Sequence, residues 1–270
     1  TNNGDDTFTD ITNNMSSVPT STIIAAWSPN DTYLAIGTSL TPYIQFFKRT
    51  GSSLTLLTAP TTLPSYTVNN MGWSPDGKYL SFAESVSSPY AGIYRNNGDD
   101  TFTLLTNALA GLSSTTYIYG HTWSSDSKYL AISGNTGSGS TATFLHIYKN
   151  NGDDTFTNIT ANITQPANAT TVNSVKFSPN GTYLVVGTTL IAANSAVFVY
   201  KNNGNDTFTS LGNISSTLDT YVYKDSISWT LDSQYFSVGF AVAGNYANAT
   251  PLRIYKNNGD DTFSVQQDIS

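Results

Sequence analysis

The feature that most constrains this chain is a two-part unit that recurs five times along it. The first part is aromatic-Ser-Pro-Asp/Asn-Gly-x-Tyr-Leu, cleanest at Trp73-Ser74-Pro75-Asp76-Gly77-Lys78-Tyr79-Leu80 and present as Trp27-Ser28-Pro29-Asn30-Asp31-Thr32-Tyr33-Leu34. It returns from Trp123 to Leu130, from Phe177 to Leu184 and, degraded, from Trp229 to Phe236. The second part, Tyr-Lys/Arg-Asn-Asn-Gly-Asp-Asp-Thr-Phe-Thr, begins with small variations at Tyr94, Tyr148, Tyr200 and Tyr255, and is shortened between Phe47 and Thr55. The anchor aromatics at 27, 73, 123, 177 and 229 are roughly 45–55 residues apart. A chain written this way stacks copies of one supersecondary unit, each burying its faces against its neighbours.

Within one unit the signals are those of strands. Thr171 to Phe177 alternates and ends at Ser178-Pro179-Asn180-Gly181, where Pro and Gly serve different turn angles. Tyr183 to Gly187 is a short apolar run, as expected of a strand covered on both faces. Ala196 to Tyr200 reads as a third strand, and Asn202 to Asp206 then turns the chain into Thr207-Phe208-Thr209. Asn-Gly between β-formers is a strong hairpin signal. No amphipathic helix of comparable strength appears. The spacing predicts an all-β fold, a β-propeller of about five four-stranded blades in one domain over 1–270. The blades are expected near 21–58, 67–113, 117–165, 171–216 and 222–270, with an extra N-terminal outer strand within 1–13.

These motifs, Phe/Trp-Ser-Pro-Asp/Asn-Gly-x-Tyr-Leu followed by Ile-Tyr-Lys-x-x-Gly-Asp-Thr-Phe-Thr, resemble the WD40-like propeller repeats of bacterial and archaeal surface proteins and of phage tail or virion structures. The resemblance covers nearly the whole chain. It implies a fold rather than an activity, because propellers carry many unrelated functions. The Trp-Asp dipeptide of true WD40 blades is missing, which sets the chain apart from intracellular scaffold propellers.

Composition narrows the function classes. The 270 residues are 39% hydrophobic and only 11% charged, well below the usual quarter, with Ser, Thr and Asn in the polar positions. Such a surface can pack against copies of itself with little charge desolvation. A net charge of −7 and a dispersed set of basic residues argue against nucleic acid as a partner. Cys is absent, so disulfides, thiolate nucleophiles and zinc–cysteine sites are excluded. No apolar run reaches the ~18–20 residues of a membrane span. The start at Thr1 without a signal peptide is read as a mature form or an excerpt.

Thr1 to Thr9 copies the second part of the repeat with no first part ahead of it. The last repeat already carries its own outer strand at Thr262-Phe263-Ser264-Val265. The spare strand, centred on Thr7, Phe8 and Thr9, therefore has three destinations: a blade edge in the same molecule, a longer array, or a neighbouring copy reached by strand addition.

Few residues suggest chemistry. Asp99, Asp100, Asp153 and Asp154 are candidate calcium ligands, but the spacing lacks an alternating Asp pattern and a closing Glu. Plain turn chemistry explains the same residues, and the expectation is no cofactor. His121 and His146 are the only histidines and Glu84 the only glutamate. No Gly-x-Ser-x-Gly elbow surrounds a serine, no partner carboxylate is indicated for Glu84, and His121 reads as a satisfied channel-side residue. The chain is expected not to be an enzyme. Trp27, Trp73, Trp123 and Trp229 share their repeat position with Phe177 and read as inter-blade core rather than sugar platforms.

Sequons stand at Asn14, Asn30, Asn158, Asn162, Asn168, Asn180, Asn205, Asn213 and Asn248, several of them in turns open to a glycan. The loops that differ between repeats, 85–90, 135–141, 191–195 and 243–248, are where a ligand is expected. The composite expectation is an extracellular, cell-surface or virion-surface structural and adhesive module. It would assemble with copies of itself by strand exchange, in a fibre or appendage. The alternative is a lectin that binds cell-surface glycans through those loops.

Overall fold

The computed structural model describes Thr7, Asp10 and residues 12–84, 91–112, 117–135, 143–190, 195–215, 221–241 and 252–269. These fall in two compact units, residues 1–107 and 108–270. The first unit holds two four-stranded antiparallel sheets. One is β1 (Thr22–Trp27), β2 (Tyr33–Thr38), β3 (Ile44–Thr50) and β4 (Ser53–Leu56). The other is β5 (Val68–Trp73), β6 (Tyr79–Glu84), β7 (Ala91–Asn96) and β8 (Phe102–Leu104).

The second unit holds three such sheets. The first comprises β9 (Tyr117–Trp123), β10 (Tyr129–Asn135), β11 (Leu145–Asn150) and β12 (Phe156–Asn158). Next come β13 (Ala169–Phe177), β14 (Tyr183–Leu190), β15 (Ser195–Asn202) and β16 (Phe208–Asn213). The last comprises β17 (Tyr221–Trp229), β18 (Tyr235–Ala241), β19 (Leu252–Asn257) and β20 (Phe263–Ile269). Strands pair in chain order in every sheet. Among the described residues there is no α-helix, only 3-10 turns at Thr12–Asn14 and Thr160–Asn162, and no helix long and apolar enough to cross a membrane. The fold is all-β, with five four-stranded blades.

Local chemistry explains the pairing. In the turn from β5 to β6, the Ser74 hydroxyl donates to Asp76 Oδ1 at 2.5 Å and accepts from the Tyr79 amide at 2.9 Å, while the Lys78 amide donates to Asp76 Oδ1 at 3.0 Å. Ser28 with Asn30, Ser124 with Asp126, Ser178 with Asn180 and Thr230 with Asp232 repeat the arrangement. A side-chain oxygen that replaces a backbone partner two residues on is the usual reason for Asp, Asn and Ser in turns. The same turn needs a positive φ, which Gly77 and Gly181 supply and Asp31, Ser127 and Ser233 tolerate.

Every residue of β2 and of β6 is buried, because both faces of these strands meet other strands. In the first unit Tyr33, Ala35 and Phe46 pack with Met71, Trp73, Leu80 and Phe82. In the second, Tyr129, Ala131 and Leu145 pack with Val172, Val175 and Phe177, and Tyr183, Val185 and Val199 with Val222, Ile227 and Phe236. The first strands of successive blades lie against one another, β1 on β5, β9 on β13 and β13 on β17. The approach is tight: a Cβ on Gly37 would lie 2.8 Å from the Val68 carbonyl oxygen.

One expectation meets a different outcome. Trp27 was expected in the core with its counterparts, yet it is 45% exposed, whereas Trp73 is 9% exposed and Phe177 and Trp123 are similarly buried. Trp73 is covered by Tyr33 and Phe102 and donates its indole N–H to the Ala26 carbonyl at 3.1 Å. No described sheet precedes β1 to cover Trp27 in that way. Of the spare strand, Phe8 and Thr9 lie outside the described residues and Thr7 is not in a strand. Thr12–Asn14 form a 3-10 turn, as Thr160–Asn162 do after β12. Met15 forms a parallel bridge to Leu54, as Ile163, which follows β12, does to Phe208.

Candidate functional site

The most regular polar constellation among the described residues is a joint between consecutive blades, seen in three places to one plan. The Tyr that opens a blade's second strand is paired across the ladder with a Lys on the third: Tyr33 with Lys48, Tyr129 with Lys149, Tyr183 with Lys201. Both reach the second acidic residue of the Asn-Asn-Gly-Asp-Asp turn in the next blade. Tyr33 donates its hydroxyl to Asp100 Oδ1 at 2.8 Å and Lys48 its ammonium to Asp100 Oδ2 at 2.7 Å. Tyr129 and Lys149 grip Asp206 at 2.8 and 2.5 Å, and Tyr183 and Lys201 grip Asp261 at 2.8 and 2.6 Å. The Phe two residues past each Asp lies edge-on to the same Tyr ring, Phe102, Phe208 and Phe263 at 5.4, 5.3 and 5.1 Å between centroids.

Geometry fixes the electrostatics. The Lys149, Tyr129 and Lys128 donors hold the Asp206 carboxyl at about 2, well below the usual range. Lys48 and Tyr33 lower Asp100, and Lys201 and Tyr183 lower Asp261. Burial, with the carboxylate beside them, pushes Tyr33 and Tyr183 up to about 12. Each joint therefore stays a charged, donor-satisfied unit across the physiological range.

The candidate calcium ligands each have a structural partner. Asp99 and Asp153 accept from Thr101 and Thr155 within their own turns, and Asp100 is held in a joint. Asp154 takes the same positive φ of 68° as Asp100 and is itself engaged in a polar or electrostatic contact. Among the described residues no three His, Asp or Glu side chains converge as metal ligands. The joint tyrosines and lysines were not singled out from the sequence. Their signal was recurrence at fixed repeat positions.

The remaining candidates are scattered. His121 and His146 both pair across the ladder with Ile132 and so share one row of one sheet face. Nδ1 of His121 and both ring nitrogens of His146 are buried without a partner among the described residues. Burial lowers both, His121 to about 4, so neither ring carries charge at neutral pH. Glu84 ends β6, is buried, and accepts from the Ser65 amide at 3.2 Å; burial raises its carboxyl to about 6. Asn14, Asn30, Asn158, Asn162, Asn168, Asn180, Asn205 and Asn213 are all exposed, while Asn248 lies outside the described residues. Of the variable loops, 85–90, 191–194, 243–248 and all but Asn135 of 135–141 lie outside them as well. A small groove of about 160 Å³ beside β2 and β3 is lined by Val18, Thr38, Leu40, Pro42 and Gln45, whose Oε1 is buried without a donor.

The family model for the WD domain, G-beta repeat, matches residues 160–200. No curated protein matches the chain by sequence. Among solved structures, the β-propeller domain of Cps50 (Swd1) from Myceliophteria thermophila is similar with a TM-score of 0.57 at 9% identity, over 92% of this chain and 73% of that one. The periplasmic gluconolactonase PpgL of Pseudomonas aeruginosa is similar at 0.56 and 12%, over 91% and 84%. A 6-phosphogluconolactonase-like protein of Bacteroides uniformis is similar at 0.61 and 15%, over 88% and 68%. The last two correct the expectation that the chain is not an enzyme. Lactonases share this architecture at such identities, so the missing nucleophile elbow does not argue against hydrolysis. Repeat, blades and neighbours together make this chain a β-propeller, one stretch of which matches the WD-domain repeat.

Proposed function

We propose that the chain works outside the cytoplasm as a rigid, self-associating propeller module, displayed on a fibre, appendage, cell surface or virion. The observation that carries this reading is where the charges go. Lys48, Lys128, Lys149 and Lys201 are all committed to joint carboxylates, and Arg49 donates to the Asp31 carbonyl. In the outer turns Asn bonds Thr, and Asp99, Asp153 and Asp260 accept from Thr101, Thr155 and Thr262. A surface of this kind loses little solvation when it meets a copy of itself or a glycan. The periplasmic lactonase among its structural neighbours supports a place outside the cytoplasm. Light scattering of the full chain against a variant lacking residues 1–13 tests the proposal: association that disappears with the segment supports it, and a full-length monomer at every concentration refutes it.

A second reading, hydrolysis of a lactone, is favoured by the likeness to the two lactonase-type propellers. Glu84 is the group on which it would turn, since a carboxyl titrating near 6 can both give and take a proton at neutral pH. Lactone hydrolysis that survives Glu84→Gln unchanged would remove Glu84 from that role.

A further inference from the structure

The plan that repeats in three joints leaves one receiving half without its carboxylate. Tyr235 opens β18 and is paired across the ladder with Lys256 on β19, the register of Tyr33–Lys48, Tyr129–Lys149 and Tyr183–Lys201. Both side chains are half-buried. No carboxylate reaches either among the described residues, where the other three pairs each hold an Asp through two bonds of 2.5–2.8 Å. The third-to-fourth-strand turn of the first blade is no match for this pair. It reads Thr50-Gly51-Ser52-Ser53-Leu54, with neither the acidic residue nor the Phe.

The carboxylates of the other turns are spoken for. Asp100, Asp206 and Asp261 sit in joints, and Asp154 is engaged. One further copy exists in the sequence, Asn2-Asn3-Gly4-Asp5-Asp6-Thr7-Phe8, in which Asp6 and Phe8 hold the positions of Asp100 and Phe102. A hydroxyl donor and an ammonium beside an aromatic ring select for a carboxylate followed two residues later by a second aromatic ring.

We propose that the Tyr235–Lys256 pair is the receiving half of an intermolecular joint, and that it takes Asp6 and Phe8 from a second copy of this chain. The proposal rests on the self-association reading and gives it an address. Charge complementarity and continuity with three joints of the same build are its grounds. Repeated between copies, the contact is head-to-tail and does not use up its own ends.

The test is light scattering across a concentration series for wild type, Lys256→Glu, Asp6→Lys, an equimolar mixture of those two, and the double variant in one chain, with circular dichroism as the check on folding. Wild type associates; each single variant associates at least about tenfold more weakly, the effect of losing one charge-assisted bond. The mixture recovers association, because the lysine introduced in one copy meets the glutamate introduced in the other. Lys256→Glu associating like wild type, while removal of residues 1–13 abolishes association, overturns this contact and leaves self-association standing. A wild-type monomer at every concentration overturns both. A double variant that stays monomeric yet regains the thermal stability lost in the single variants, followed by circular dichroism, with no association in the mixture, places the joint within one molecule and overturns the intermolecular assignment.

Discussion

Glu84 shows how burial, rather than a partner, sets the behaviour of a single side chain. Its carboxyl titrates near 6 in the folded chain against an ordinary 4.5. The folded state thus holds this proton more tightly than the unfolded one. Its contribution to stability is full below the unfolded value and fades as pH climbs from about 4.5 to about 6, a loss of ~2 kcal/mol. Glu84→Gln should leave stability unchanged near pH 4 and raise it by up to about 2 kcal/mol at pH 7, since the amide keeps an oxygen for the Ser65 amide. Denaturant unfolding of both proteins at pH 4, 5.5 and 7 checks this; a difference that does not vary with pH contradicts it. His121 runs the other way, its neutral ring losing stability as pH falls below 6.5, and it cancels when variant and wild type are compared at one pH. Scarcity marked Glu84 and His121 in the sequence. What was not legible is that one closes a fully buried strand and the other shares a row with His146, since both depend on pairing.

At the scale of elements, turns were legible and joints were not. Ser-Pro-Asp-Gly and Asn-Asn-Gly-Asp-Asp announce themselves because their chemistry is local: a side chain bonds the backbone two residues on. Several sequons share this origin, as Asn30 and Asn180 accept from the amides of Thr32 and Thr182 where other blades use Asp76 and Asp126. The joint instead links residues 52 to 78 positions apart, and nothing short of the fold puts them together. Asp206 is the most heavily used, with Lys128, Lys149 and Tyr129 all directed at it. Its side chain keeps 28% exposure, so solvent screens part of the attraction. Asp206→Ala should cost about 1–2 kcal/mol at low salt and less at high salt. Asp206→Asn should cost less than Ala, because it still accepts from Tyr129. Chemical denaturation at two ionic strengths measures all three; a salt-independent loss would mean that packing of the turn, not charge, is what the joint contributes.

For the whole molecule the question is which blade faces are closed. The sequence presents Trp27 and Trp73 as equivalents, and in repeat position they are. Their surroundings differ because an anchor aromatic is buried by the blade before its own, a property of neighbours that no residue carries in itself. Trp73 lies against Tyr33 and Phe102 with its indole nitrogen bonded; Trp27 keeps nearly half its surface. Trp73→Ala should therefore cost about 3–5 kcal/mol through the cavity it opens and the Ala26 carbonyl it strands. Trp27→Ala, at low protein concentration, should cost under about 1 kcal/mol, as truncations of exposed side chains do. Thermal unfolding of the two variants at matched low concentration separates them. Equal losses would mean that the face carrying Trp27 is covered in solution by structure outside the described residues. A Trp27→Ala loss that grows with protein concentration would mean that another copy covers it, since only an association linked to folding makes stability depend on concentration.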